Sequence, residues 1–300
     1  MSAIEVEGLG ATLGARCVLD DVAFAVPWGS VTGFLGVNGA GKSTTIRAMV
    51  GLVARHGVVR VAGADPLRMP NQARVLGVAF DELMADPQHT TLGHLQQLAV
   101  RAGVDGTRAN AALEAVGLAS HEAGRGRRPP RIAALSLGMR KRLAIAGALV
   151  AGPRVLVLDE PFDGLDPTGR RWLRELVREH ADRGGAVLLS AHGLDEIASV
   201  LDDVVVLDAG RVRFAGTTRA LLAPTASFVV VRSPDAAALR AALEAGGASV
   251  EVVGTGVLHV RGSTTEAVAR VALDRRLLVV ELTTAEQTLS DAFVAAIGRA

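Results

Sequence analysis

The sequence predicts an α/β fold built on a mixed, mostly buried sheet, with a smaller α+β domain towards its C-terminal end. Three observations predict it. Val31 to Leu35 is an apolar run suited to a buried strand, and it leads through Gly36-Val37-Asn38-Gly39-Ala40-Gly41-Lys42-Ser43 into a helical segment. That octapeptide fits G-x-x-x-x-G-K-[ST] in the strand–turn–helix setting a phosphate-binding loop requires. Arg154 to Pro161 reads as a continuous apolar strand ending in Asp159-Glu160, as in a parallel strand covered on both faces. Beyond Pro224-Thr225-Ala226-Ser227, a linker by composition, the order becomes strand, helix, strand, strand, helix, strand. That is the order of a split-βαβ, ferredoxin-like domain. The expected domains are residues 1–223 and 226–300.

Taken in order, residues 3 to 8 alternate apolar and charged positions, the period of a half-buried strand, and Cys17 to Val26 repeats the alternation. Pro27-Trp28-Gly29-Ser30 turns the chain into Val31, so the two segments are expected as an antiparallel pair beside the Val31–Leu35 strand. Val58 to Ala62 and Leu76 to Phe80 read as further strands. Leu92, Leu95, Leu98 and Ala99, then Leu113, Val116 and Leu118, carry helical spacing, with Gly103 and Gly106 between the two helices. A helical insert is therefore expected over about 84–150. Arg125 to Arg131 is a Pro- and Arg-rich connection; Arg140 to Val150 reads as a helix, with Ser136 a good N-cap before it and Gly152-Pro153 its stop. Thr168 to Ala181 is a helix with Trp172, Leu173, Leu176 and Val177 on one side. Ala186 to Ser190 is a buried strand closed by Ala191-His192, Glu196 to Val200 a short helix, and residues 203–207 and 212–214 a hairpin. In the C-terminal domain strands are expected at 228–232, 249–253, 257–261 and 277–281, with helices at 235–246, 264–274 and 286–298.

Composition narrows the class. Hydrophobic content of 49% with 21% charged residues excludes a disordered chain, and a net charge of +1 gives no general attraction to nucleic acid or anionic membrane. The single cysteine, Cys17, cannot close an internal disulfide, which suits a reducing cytoplasm. No stretch has the make-up of a signal peptide, and none approaches 18 uninterrupted apolar residues. Any membrane pore this chain serves is thus expected in another chain.

The chemistry lies in two places. Glycines in the loop let backbone N–H groups curl round an anion, and the helix start adds partial positive charge. Lys42 would reach the β- and γ-phosphates, Ser43 would ligate Mg²⁺, and Thr44 would complete the phosphate contacts. A glycine-rich turn with an incidental lysine would satisfy the pattern alone. Against that, the chain holds only two lysines, Lys42 and Lys141, and a compact ammonium fits between phosphates where a forked guanidinium does not. Asp159 would hold Mg²⁺ through its water shell, and Glu160 would polarise the water attacking the γ-phosphate. Alone, these would read as two solvated carboxylates at a strand end; the loop upstream changes that.

The ordered set resembles the ATP-binding subunits of ABC transporters: the Gly36-to-Ser43 loop, LSLGM at Leu135 to Met139, LVLDEP at Leu156 to Pro161, GLD at Gly164 to Asp166, and His192 after a strand. The resemblance covers about Ile4 to Ala223. It implies a P-loop NTPase fold of the ABC ATPase type, with a mixed sheet core, an antiparallel β subdomain and a helical insert. It implies two such domains packed head to tail, with ATP held between one subunit's loop and the other's signature helix, at Ser136 and Gly138. Leu165-Asp166 is similar to the segment that communicates across that dimer. His192 matches the switch histidine that contacts the γ-phosphate; a lone histidine is more often structural, but its place after a buried strand favours the functional role.

Three positions depart from the family pattern. Leu13 stands where an aromatic residue usually stacks on adenine, and the chain has no tyrosine. Asp81 replaces the usual glutamine and is expected to touch Mg²⁺ or the water as an anion. Leu137 replaces a glycine that allows close approach. These changes are expected to slow turnover without removing it. Asp81, the LSLGM form and the segment Glu286 to Phe293 look like the ABC-2 exporter branch. The resemblance thus implies an ATPase subunit in a dimer, expected to be a homodimer. It would dock on a separate membrane permease through about Asp81 to Leu98, at the cytoplasmic face of the membrane, with export as its output and no nucleic acid as partner. Two other readings stand beside it. A soluble ABC-type ATPase acting on ribosomes or DNA usually has two cassettes or a long coiled-coil insert, and neither is present here. A degenerate nucleotide binder is opposed by Lys42, Asp159, Glu160 and His192.

Overall fold

The computed structural model describes residues 2–119, 131–191, 197–222, 227–286 and 289–298. The chain divides into two compact units, Met1–Thr218 and Arg219–Gly298. Arg125 to Pro130, His192, Glu196 and linker residues 223–226 lie outside the described residues.

In the first unit, strands β1 (Ser2–Leu13), β2 (Arg16–Pro27) and β4 (His56–Val61) form an antiparallel sheet in the order β2-β1-β4. A second sheet contains β3 (Val31–Leu35), β5 (Leu76–Ala79), β6 (Val155–Leu158), β7 (Ala186–Ala191), β8 (Asp203–Asp208) and β9 (Arg211–Thr217). Its order is β5-β6-β7-β3-β8-β9, parallel throughout except for the β8–β9 hairpin. The pairing of β1 with β2 is as the alternation predicts, but the pair does not join the sheet of β3. The reason lies in the same alternation. A strand with one apolar face packs that face onto a sheet, whereas all five residues of β3 are buried, as a central strand demands. Leu9, Leu19, Val22 and Val26 enter one core with Phe34 of β3, and the Phe24 and Phe34 rings lie 5.3 Å apart.

Helix α1 (Lys42–Met49) follows β3; α2 (Thr91–Arg101) and α3 (Arg108–Ala115) belong to the insert; α4 (Leu137–Leu149) and α5 (Pro167–Asp182) flank β6 in the chain. Their starts are chemically marked. Thr90 accepts from the Gly93 N–H at 3.1 Å, Ser136 from Met139 at 3.3 Å and Asp166 from Gly169 at 2.7 Å. At Gly77 a Cβ would collide with the Ala148 carbonyl, so glycine lets β5 and α4 meet backbone to backbone. Arg142 of α4 lies over the Trp172 ring of α5 at 4.5 Å. Arg142 donates to the Val116 carbonyl (2.8 Å) and the Trp172 indole to Ala115 (2.9 Å), so the free carbonyls ending α3 are satisfied by the two helices it packs on.

The second unit runs β10 (Ser227–Arg232), α6 (Ala236–Ala245), β11 (Ser249–Gly254), β12 (Val257–Arg261), α7 (Thr265–Asp274), β13 (Glu281–Glu286) and α8 (Leu289–Ile297). Its antiparallel sheet has the order β11-β12-β10-β13, and Val229, Val231, Leu258 and Val260 meet Leu239, Leu243 and Val268 of the helices. The last strand starts at Glu281, not at residue 277 as the apolar run 277–280 predicts, and Glu286, expected to open the final helix, closes that strand. The physical cause is local. The Leu278 N–H donates to Asp235 Oδ2 (3.0 Å) and its carbonyl accepts from Ser233 Oγ (2.6 Å), so side chains take the groups a ladder would need.

Candidate nucleotide site

Sterics shape the loop between β3 and α1. Gly41 has φ +110°, and a Cβ there would stand 2.8 Å from Leu19; a Cβ at Gly36 would stand 2.5 Å from the Leu207 carbonyl. Only glycine fits both places. The buried Ala40 is tied to the β8–β9 turn by the Gly210 N–H, which donates to its carbonyl at 2.9 Å. No side chain caps α1, so its first N–H groups face the loop as a ready anion site.

Lys42 is 5% exposed; its Nζ donates to the Gly36 carbonyl at 2.7 Å and lies 3.2 Å from Glu160 Oε1. Ser43 Oγ donates to Asp159 Oδ1 at 3.1 Å. Ser190, the one hydroxyl of the otherwise apolar β7, donates to the same carboxylate oxygen at 2.7 Å and accepts the Glu160 N–H at 2.8 Å. Asp159 Oδ2 is buried with no hydrogen-bond partner among the described residues. Glu160 has φ +46°, the left-handed region a non-glycine residue enters only when its surroundings hold it there. Its carbonyl accepts from Lys141 Nζ at 2.9 Å.

The two parallel strand ends β3 and β6 thus bring the loop and Asp159-Glu160 together, as the sequence predicts. A cavity of about 360 Å³ is lined by Val37, Asn38, Gly39, Gly41 to Thr44 and Glu160, with Leu13, Arg16 and Val18. Leu13 and Arg16 are cross-strand partners at the β1–β2 turn, so both side chains reach one face. Ser136 and Gly138 do not line this cavity. They open α4 against Gly164, whose φ of +73° and missing Cβ leave room for the exposed Leu137 side chain. Asp81 does not line it either. The carboxylate expected at Mg²⁺ is instead the ion-pair partner of Lys141, because a buried ammonium draws the anion within its reach. His192 lies outside the described residues.

Sequence reasoning missed three residues. Lys141 carried a signal, being one of two lysines in an Arg-rich chain. Ser190 carried a weaker one, a lone hydroxyl at the end of a buried strand. Arg16 carried none without the register of the hairpin.

Mg²⁺ fits the donors present. Among the described residues no cluster of three or more His, Cys, Asp or Glu could hold a metal ion. Ser43 and Asp159 offer hard oxygens, one of them the unpartnered Asp159 Oδ2, and Mg²⁺ needs few protein ligands when phosphates and water supply the rest.

Comparison with known proteins agrees with this geometry. A family model described as "ABC transporter" matches residues 19–163, and one described as "Domain of unknown function (DUF8746)" matches residues 227–290. Nod factor export ATP-binding protein I of Paraburkholderia xenovorans is 35% identical over 252 residues, 80% of this chain and 79% of that protein. Daunorubicin resistance ATP-binding protein DrrA3 of Streptomyces coeruleorubidus is 38% identical over 232 residues, 75% of this chain and 71% of that protein. A solved "Structure of ATP binding subunit of ABC transporter" matches with a TM-score of 0.66 at 29% identity, over 74% of this chain and 93% of that one. No helix among the described residues is long and apolar enough to cross a membrane.

Proposed function

The chain belongs to the ABC transporter family of ATP-binding proteins, and from that premise we propose which residues act and what the protein drives. It is an ATPase that binds ATP with Mg²⁺, as ABC ATP-binding domains do. Subunits of this kind generally pair with transmembrane permeases and work as dimers.

In this reading residues 1–223 are the ATPase domain and 226–300 an accessory α+β domain. Lys42 carries three N–H donors; Gly36 and Glu160 engage it, and its remaining donor serves the β- and γ-phosphates. Ser43 and Asp159 would hold Mg²⁺, which when bound neutralises charge on the phosphate oxygens. Glu160 takes the proton of the attacking water, its carboxylate aimed by Lys42 and its backbone by Ser190. Leu13 and Val18 support the base. His192 contacts the γ-phosphate. Ser136 and Gly138 serve the ATP of a second, identical subunit.

One observation carries the dimer: the capped start of α4, an anion site by construction, does not line the cavity that holds Lys42, Ser43 and Glu160. A partner's α4 must complete the site. ATP binding then closes the dimer and hydrolysis reopens it, and the cycle drives export through a separate permease at the inner face of the membrane, docked along Asp81 to Leu98. Support for export comes from the LSLGM form and from relatives named for Nod factor export and daunorubicin resistance.

Affinity purification of the tagged chain from its own cells tests this. A co-purifying multi-spanning membrane protein, with ATP-dependent efflux in vesicles holding both, is the expected result. Stable association with ribosomes or DNA would favour a non-transport ATPase, and uptake in those vesicles would reverse the direction.

A further inference from the structure

The chain's two lysines stand on either side of Glu160. Lys42 meets its carboxylate; Lys141, on α4, meets its backbone carbonyl at 2.9 Å. Lys141 is 4% exposed, and the mechanism above makes no use of it. A buried ammonium needs a charge partner. Lys141 has one in Asp81, whose side chain is 53% exposed.

We propose that Lys141 is a positioning residue for Glu160 and that Asp81 holds it in that role, so that the rate of hydrolysis follows the Asp81–Lys141 pair. The inference rests on Glu160 being the base. Glu160 occupies the left-handed region, at φ +46°, which its Cβ disfavours. It is held from both sides: its N–H donates to Ser190 Oγ at 2.8 Å, and its carbonyl accepts from Lys141 at 2.9 Å and, over a longer 3.3 Å, from the Asp163 N–H. Loss of the Lys141 tether removes the shorter of those two carbonyl bonds and loosens the peptide after Glu160, which then rotates towards a common backbone conformation and turns the carboxylate away with it. Nucleotide binding is spared, because Lys141 and Asp81 do not line the cavity of the phosphate loop. They line a separate one, of about 430 Å³, with Glu82, Leu137 and Arg140. Asp81 also opens the segment leading to α2, so a displacement of that segment would unload Lys141 and slow hydrolysis at a distance from the phosphates.

The test uses the full chain with Lys141→Met, Asp81→Asn, the double variant and Lys141→Arg, with Glu160→Gln as reference. Steady-state kcat and the Kd for a fluorescent ATP analogue are read for each. Lys141→Met is expected to lower kcat about tenfold or more with Kd within about twofold. Asp81→Asn should act in the same direction and less, and Lys141→Arg should recover part of the rate. The double variant should be no slower than Lys141→Met, since both act through one contact. Unchanged kcat, parallel loss of kcat and affinity, or multiplied effects in the double variant would each overturn the proposal. Should Lys141→Met fail to fold, Asp81→Asn decides alone, and an unchanged kcat there overturns it. Hydrolysis that Glu160→Gln does not lower would overturn the base assignment itself, a separate failure.

Discussion

Replacing Ser190 with alanine isolates the hydroxyl that joins Asp159 to Glu160. Ser190 is fully buried, so no water takes its place without rearrangement. The substitution removes a 2.7 Å bond to a carboxylate oxygen, worth about 1.5–3 kcal/mol, and the 2.8 Å bond from the Glu160 N–H, worth about 0.5–1.5 kcal/mol. Asp159 falls back on Ser43 for that oxygen, since its other oxygen has no partner among the described residues. Allowing for partial relaxation, the expected loss is about 3 kcal/mol. Both tryptophans, Trp28 and Trp172, lie in the Met1–Thr218 unit, so fluorescence in a urea titration reads that unit alone. A loss below about 0.5 kcal/mol would mean that this hydroxyl does not fasten the strand ends.

Two further outcomes are expected. With an aliphatic Leu13 in place of an aromatic platform, about 1 kcal/mol of stacking is absent, so GTP and ATP should compete within a few fold for a fluorescent nucleotide, and Leu13→Tyr should tighten ATP about fivefold; a strong ATP preference in the native chain would show another adenine contact. Burial of His94, then His89 and Arg101 nearby, holds its imidazole below the usual 6.5. The unfolded chain therefore takes up that proton first: the stabilisation is full above about pH 6.5 and fades as pH falls from there through the lowered folded value. His94→Gln should flatten the stability loss between about pH 7.5 and 5.5 in denaturant titrations, and an unaltered slope would count against it.

The parts of the fold legible in the sequence are those where a short stretch carries its own constraint. Gly36 to Ser43 is such a stretch, because the steric need at Gly36 and Gly41 is met by residue type alone. Val155 to Glu160 is another, since an apolar strand ending in carboxylates has few places to go. What escaped was set by partners distant in the chain. The alternation of β1 and β2 predicts their pairing but not a sheet of their own, which depends on what their apolar faces cover. The run at 277–280 reads as strand by composition, yet Ser233 and Asp235 take the backbone groups of Leu278. Asp81 is placed by Lys141, 60 residues away, and Glu160 by Ser190, 30 residues away.

In the proposed function, Gly36 to Ser43 forms half of a site that hydrolyses ATP only when a second subunit completes it. The most direct measurement is light scattering on size-exclusion chromatography of Glu160→Gln with Mg²⁺ and ATP, alongside phosphate release. The expected result is a stable species of twice the monomer mass that retains ATP and releases little phosphate, reverting to monomer when nucleotide is removed. A variant that stays monomeric at saturating ATP, or that releases phosphate at the native rate, would contradict it.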